Sequence, residues 1–61
     1  MNATDLITNI AATVAYQFAI SETTEMAWFN AGTALMNEFN MNQDCAAEAI
    51  RSVMPIIEKS F

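Results

Sequence analysis

The sequence predicts an all-α fold, a compact three-helix bundle, and three observations point to it. Glycine and proline occur once each in 61 residues, so a turn-rich β protein would lack its punctuation. Eleven alanines, together with Leu, Met, Glu and Gln, raise helix propensity, while six threonines and six asparagines lower it locally. Apolar residues recur at helical spacing through three segments, which places helices over about residues 4–20, 22–39 and 43–60 of a single domain covering 1–61.

Thr4 is an acceptable N-cap for the first helix, with Asp5 behind it in the first turn. At about 100° per residue, Ala3, Leu6, Ile7, Ile10, Ala11, Val14 and Phe18 share one face. Ala12, Tyr16, Ala19 and Ile20 lie opposite, interleaved with Asn9 and Thr13, on a mixed surface of small and polar residues. Ser21 marks the expected break, because serine caps well, acids suit a first turn, and the β-branched pair Thr23 and Thr24 favours a helix end.

The second helix gathers Trp28, Phe29, Ala31, Gly32, Leu35, Met36 and Phe39 on a broad apolar face. Gly32 lies within that face, where glycine costs about 1 kcal/mol relative to alanine; a close helix crossing would account for it. Asn40, Met41 and Asn42 form the second break, the asparagines supplying tolerance of left-handed backbone and a cap. The third helix then places Ala46, Ala49, Ile50, Val53, Met54, Ile57 and Phe61 together. Pro55 removes one hydrogen bond and crowds the carbonyl of Arg51, yet the apolar phase continues across it, which predicts a kinked continuation with the ring towards the polar side.

The apolar faces of the three segments nearly coincide in angle, so an alternative remains. In it one long helix runs from about Thr4 to Phe39, the last segment folds back as a hairpin, and the exposed stripe makes an obligate oligomer. The three-helix bundle is the preferred expectation, since the residues at Ser21 to Glu25 favour an interruption.

Composition excludes much chemistry. There is no histidine to act as general base near neutral pH, so Ser-His and Cys-His nucleophile pairs are ruled out within the chain. Cys45 is the only cysteine; it forms no internal disulfide and, without imidazole, builds no usual metal site. Asp44 and Glu48 share a helix face at i, i+4 but bring no further ligands, and Glu48 has Arg51 at i+3 as a surface partner. The chain is expected to be no enzyme, and neither metal nor cofactor is expected.

Seven carboxylates against Arg51 and Lys59 give a formal charge of −5. Two separated cations do not supply the basic cluster that phosphate binding needs, which argues against direct nucleic-acid binding. The start at Met1 lacks the basic region of a secretory signal, and the longest apolar-rich stretch, 6–20, is shorter than the roughly 20 apolar residues of a membrane span. The expectation is a cytoplasmic protein without a membrane partner.

A domain near this length buries only about 60% of its unfolded surface, and small scaffolds need a disulfide, a metal or a partner. With the first two ruled out by composition, association remains. Methionine adapts to irregular pockets and aromatics are enriched at interfaces, so Tyr16, Met26, Trp28, Phe29, Met36, Phe39 and Met41 are the candidate interface residues. Tyr16, Met26, Met41 and Ile56 lie off the three apolar stripes and are therefore the ones expected to stay outside the core. The functional expectation is a small acidic protein-binding module that self-associates and serves as an inhibitor or adaptor occluding a partner's surface, such as one encoded by a virus or mobile element. An alternative is an oligomeric carrier or sponge for a small apolar ligand, with Tyr16, Trp28 and Phe29 lining its pocket. A carboxylate-bearing nucleic-acid mimic is a third reading, weakened because the acids form no run.

Overall fold

A computed structural model of the chain describes residues 3–60 and contains three helices, α1 (Ala3–Ile20), α2 (Thr24–Glu38) and α3 (Gln43–Ser60). Each helix packs on both others. The interruption after Ile20 rules in favour of the bundle over the long-helix hairpin, because α2 turns back and buries its apolar face within the same chain. The radius of gyration, 10.6 Å, agrees with the roughly 10.5 Å of a close-packed chain of this length.

Local chemistry sets both breaks, with one correction to the sequence reading. The cap of α2 is Thr23, not Ser21: its backbone is extended and its side chain accepts from the Met26 amide at 3.1 Å. Ser21 instead finishes α1, its amide donating to the Gln17 carbonyl at 3.1 Å. Its hydroxyl accepts from the Asn30 side-chain amide at 3.4 Å, tying the break to α2. Because α1 still uses the Ser21 amide, the next helix starts two residues later than expected. Thr4, the expected cap of the first helix, falls inside α1, which begins at Ala3.

The second break follows the asparagines. Phe39 donates its amide to the Leu35 carbonyl at 3.0 Å, and Asn40 takes the left-handed conformation with φ 58°, which asparagine tolerates at a helix C-terminus. Asn42 then caps α3, its side-chain oxygen accepting from the Cys45 amide at 2.8 Å. Helix α3 continues through Pro55, whose ring is exposed.

The core is small and mixes alanines with larger aliphatic side chains. Its buried side chains are Ile10, Ala11 and Val14 from α1, Ala27, Ala31 and Leu35 from α2, and Ala46, Ile50 and Val53 from α3. Phe18, Trp28, Met36, Phe39, Met41, Ala49, Met54 and Ile57 pack around these, half-buried. Phe18 meets Trp28 edge to face, ring centroids 6.3 Å apart, joining α1 to α2.

Four expectations about faces and packing need correcting. Helix α2 turns Ala27, not Phe29, into the core, and Phe29 is 74% exposed. Leu6 and Ile7 share the α1 face with Ile10 yet remain exposed. No close crossing explains Gly32, since a Cβ built there meets nothing within 4 Å. Met41 packs against the core although its phase placed it outside. Phe61, assigned to the α3 face, lies outside the described residues.

These contacts fix two expected outcomes in denaturant unfolding. Thr23→Ala and Asn42→Ala each lower stability by about 1 kcal/mol, and Ser21→Ala costs clearly less; the reverse order would return the cap to Ser21. Gly32→Ala raises stability by about 0.5–1 kcal/mol, seen as a rise in melting temperature of several degrees, whereas a drop would reveal a tight neighbour at Gly32.

Candidate functional site

A groove of about 280 Å³ lies between α2 and α3. Helix α2 supplies Trp28, Phe29, Gly32, Thr33 and Met36, and α3 supplies Gln43, Ala46, Ala47 and Ile50. Spacing explains the set. Residues 28, 29, 32, 33 and 36 fall at i, i+1, i+4, i+5 and i+8, the flank of α2 beside its buried stripe of Ala27, Ala31 and Leu35.

The shape comes from residue size. Gly32, Ala46 and Ala47 give little bulk to the recess, and Trp28, Met36 and Ile50 form larger parts of its wall. Trp28 is held by Phe18 through their edge-to-face contact, so the groove wall is braced from α1. Phe29 stands mostly in solvent beside the recess.

No charged residue lines the groove. The Thr33 hydroxyl donates to the Phe29 carbonyl at 2.9 Å, so it is engaged within its own helix. The lining is therefore an apolar surface with one amide, Gln43, in it. This arrangement binds apolar groups by shape and desolvation and offers no proton-transfer group to a bound molecule.

The structure divides the sequence-derived interface residues into three groups. It brings Trp28, Phe29 and Met36 together in the groove. Phe39 and Met41 pack against the core instead. Tyr16, 61% exposed, and Met26, also exposed, stand away from the groove lining. Tyr16 borders a separate shallow depression with Ala12, Thr13, Gln17 and Glu38. Within one chain, then, Tyr16 does not share a pocket with Trp28 and Phe29; the ligand-carrier reading brings the three together at an oligomer interface.

The groove residues contributed by α3 were missed as a site. Ala46 and Ile50 read as core and Gln43 and Ala47 as nothing in particular; only packing against α2 shows that small residues at 46 and 47 face Gly32 across a gap. A usable signal was the coincidence of Gly32 with two adjacent alanines on the next helix.

Elsewhere the surface chemistry is plain. Arg51 and Glu48 pair on an exposed flank of α3, a contact of the kind worth a few tenths of a kcal/mol. Cys45 is exposed at the start of α3. Among the described residues no group of three His, Cys, Asp or Glu side chains converges on a metal position, and no buried side-chain polar atom lacks a partner. No helix among them is long and apolar enough to cross a membrane.

Comparison of the chain with protein-family models, with curated proteins and with solved structures gives no match. The geometry of the groove and the exposed apolar side chains carry the functional argument by themselves.

Trp28 is the single tryptophan and reports directly on the groove. Ala47→Phe, which projects a ring into the recess from α3, is expected to shift Trp28 emission to shorter wavelength while far-ultraviolet helicity stays unchanged. An unshifted spectrum would place position 47 away from Trp28.

Proposed function

We propose that this chain is a small acidic protein-binding module without catalytic activity, an inhibitor or adaptor that works by covering a surface of another protein. The observation that supports the reading is the distribution of apolar bulk. Among the described residues, Leu6, Ile7, Tyr16, Ile20, Met26, Phe29 and Ile56 each keep 41% or more of their surface in solvent. Among the same residues five buried side chains, Ile10, Val14, Leu35, Ile50 and Val53, are larger than alanine. Scattered apolar residues on a surface are ordinary, but here the large ones outside outnumber those inside. Burying one such side chain contributes about 1.5–3 kcal/mol, so a partner that covers several of them gains useful affinity without any charged anchor.

A chain with carboxylates distributed over all three helices and two cations favours a partner of neutral or basic surface. The mode of action that fits is occlusion: bulk placed over a working surface, with no reacting group supplied. A cytoplasmic setting and an origin in a virus or mobile element suit such a module and belong to the same reading.

A second reading, the carrier of a small apolar ligand, is favoured by one feature, the Trp28-lined groove. At about 280 Å³ the groove falls just below the roughly 300–1,000 Å³ typical of ligand sites, and its side is open where Phe29 stands in solvent. That size suits an inserted side chain better than an enclosed ligand.

Photo-cross-linking in the cells that normally make the protein separates the two. A photoreactive phenylalanine analogue at Tyr16, Ile20 or Phe29 is expected to give at least one discrete adduct with a different protein, and the same analogue at Ser52 none. If every exposed apolar position gives no heterotypic adduct, the protein-binding reading fails; a small molecule that copurifies and quenches Trp28 would install the carrier in its place.

A further inference from the structure

We propose that the depression beside Tyr16 is an arginine-binding subsite, in which a guanidinium group of the partner protein lies between the Tyr16 ring and the Glu38 carboxylate. The source of the arginine rests on the protein-binding reading, whereas the site itself rests on the chain's own electrostatics. The depression measures about 390 Å³ and joins Ala12, Thr13, Tyr16 and Gln17 of α1 to Glu38 at the end of α2.

The first argument is where Glu38 stands. The C-terminus of a helix carries partial negative charge, which a cation there offsets and a carboxylate increases. Elsewhere the chain follows that rule: Asp5, Glu25 and Asp44 occupy the first turns of α1, α2 and α3, and Lys59 the last turn of α3. Glu38 is the final residue of α2, whose last turn has no basic residue. The chain's two cations do not come to it, since Arg51 pairs with Glu48 and neither Arg51 nor Lys59 lines the depression. The negative potential at this end of α2 is left for a cation from outside the chain.

Tyr16 supplies the second argument. It keeps 61% of its surface in solvent and borders the same depression. An aromatic face attracts a cation held over it, and arginine stacks flat on such a face. The hydroxyls of Thr13 and Tyr16, the amide oxygen of Gln17 and the carboxylate of Glu38 are all hydrogen-bond acceptors by chemistry. Guanidinium is the complementary group, a planar cation that donates in a fork and accepts nothing.

The same features decide against other occupants. A divalent cation takes several oxygen ligands at close range, and Glu38 is the only carboxylate lining the depression. An ammonium is more strongly hydrated than a guanidinium and does not stack, so it gains less from an open tyrosine face. An apolar side chain would cover the Glu38 carboxylate without pairing it, which costs free energy. In the complex, the exposed apolar residues supply contact area, and the arginine subsite fixes orientation and selects against acidic surfaces.

Titration of the full chain with arginine blocked at both ends, followed by nuclear magnetic resonance at constant ionic strength, tests the proposal. The expected result is saturable shifts centred on Tyr16, Gln17 and Glu38, with a dissociation constant of roughly tens of millimolar, as two exposed contacts allow. Blocked citrulline, the uncharged isostere, produces no such shifts, and blocked lysine binds more weakly than arginine. Tyr16→Leu and Glu38→Gln each weaken arginine binding by about two- to fivefold. Glu58→Gln, which removes a carboxylate from the end of α3, leaves it unchanged, and circular dichroism verifies that every variant folds. The proposal is overturned by the absence of saturable shifts, by equal shifts with citrulline, by lysine binding as tightly as arginine, by shifts spread alike over all seven carboxylates, or by unchanged affinity in Tyr16→Leu and Glu38→Gln. The titration reads the depression alone and the cross-linking reads the partner, so heterotypic adducts without arginine binding would remove this subsite and leave the protein-binding module standing.

Discussion

The constraint on which this structure depends is the size of the residues where its helices meet. Ala11, Ala27, Ala31 and Ala46 are all buried, so the three helices approach closely along a line with little side-chain volume. Close approach packs well but removes few large apolar groups from water, and burial stabilises in proportion to the area removed. The bulk that a 61-residue chain carries in its aromatics and methionines is accordingly displaced to the flanks of each helix. Trp28, Met36 and Phe39 become half-buried walls, and Phe29 passes into solvent. The groove between α2 and α3 is a product of the same geometry, a gap left where the flanks of two helices diverge from a narrow core.

That choice also explains which parts of the structure could be read from residues. The break at 40–42 was legible because asparagine has two distinct local uses, left-handed backbone at Asn40 and a side-chain acceptor at Asn42, and both are realised. Continuation of α3 through Pro55 was legible because Ile50, Val53 and Ile57 keep one phase across it, enough to outweigh a lost hydrogen bond. The first break was harder: Ser21 and Thr23 are both good caps, and what separates them is the hydrogen bond from the Ser21 amide to Gln17, which depends on how far α1 runs before it must turn.

The face of α2 was misread for a more general reason. Periodicity weighs residues by apolarity, which ranks Trp28 and Phe29 above Ala27, and the two choices differ by only one or two positions around the helix. Packing weighs them by fit. Where neighbouring helices already contribute alanine, the stripe Ala27, Ala31 and Leu35 closes the gap and Phe29 does not fit. The candidate site was therefore legible in its α2 half, as Trp28, Phe29 and Met36, and invisible in its α3 half, because Gln43 and Ala47 acquire meaning only when α3 lies against α2. Tyr16 was rightly expected outside the core, yet sequence alone could not tell that it borders a different depression from Trp28.

Gly32 joins the stability of the fold to its associations. A glycine within a helix lowers stability by about 1 kcal/mol, an appreciable part of the few kcal/mol that a core of this size supplies. In an isolated chain nothing offsets that loss, since no neighbour occupies the space its side chain would fill. Pairing changes the balance: a partner that binds only the folded state stabilises it by mass action, in proportion to the logarithm of its concentration over the dissociation constant. The glycine that weakens the folded chain also helps to open the groove between α2 and α3, so any partner seated there would offset a loss of stability that the isolated chain carries.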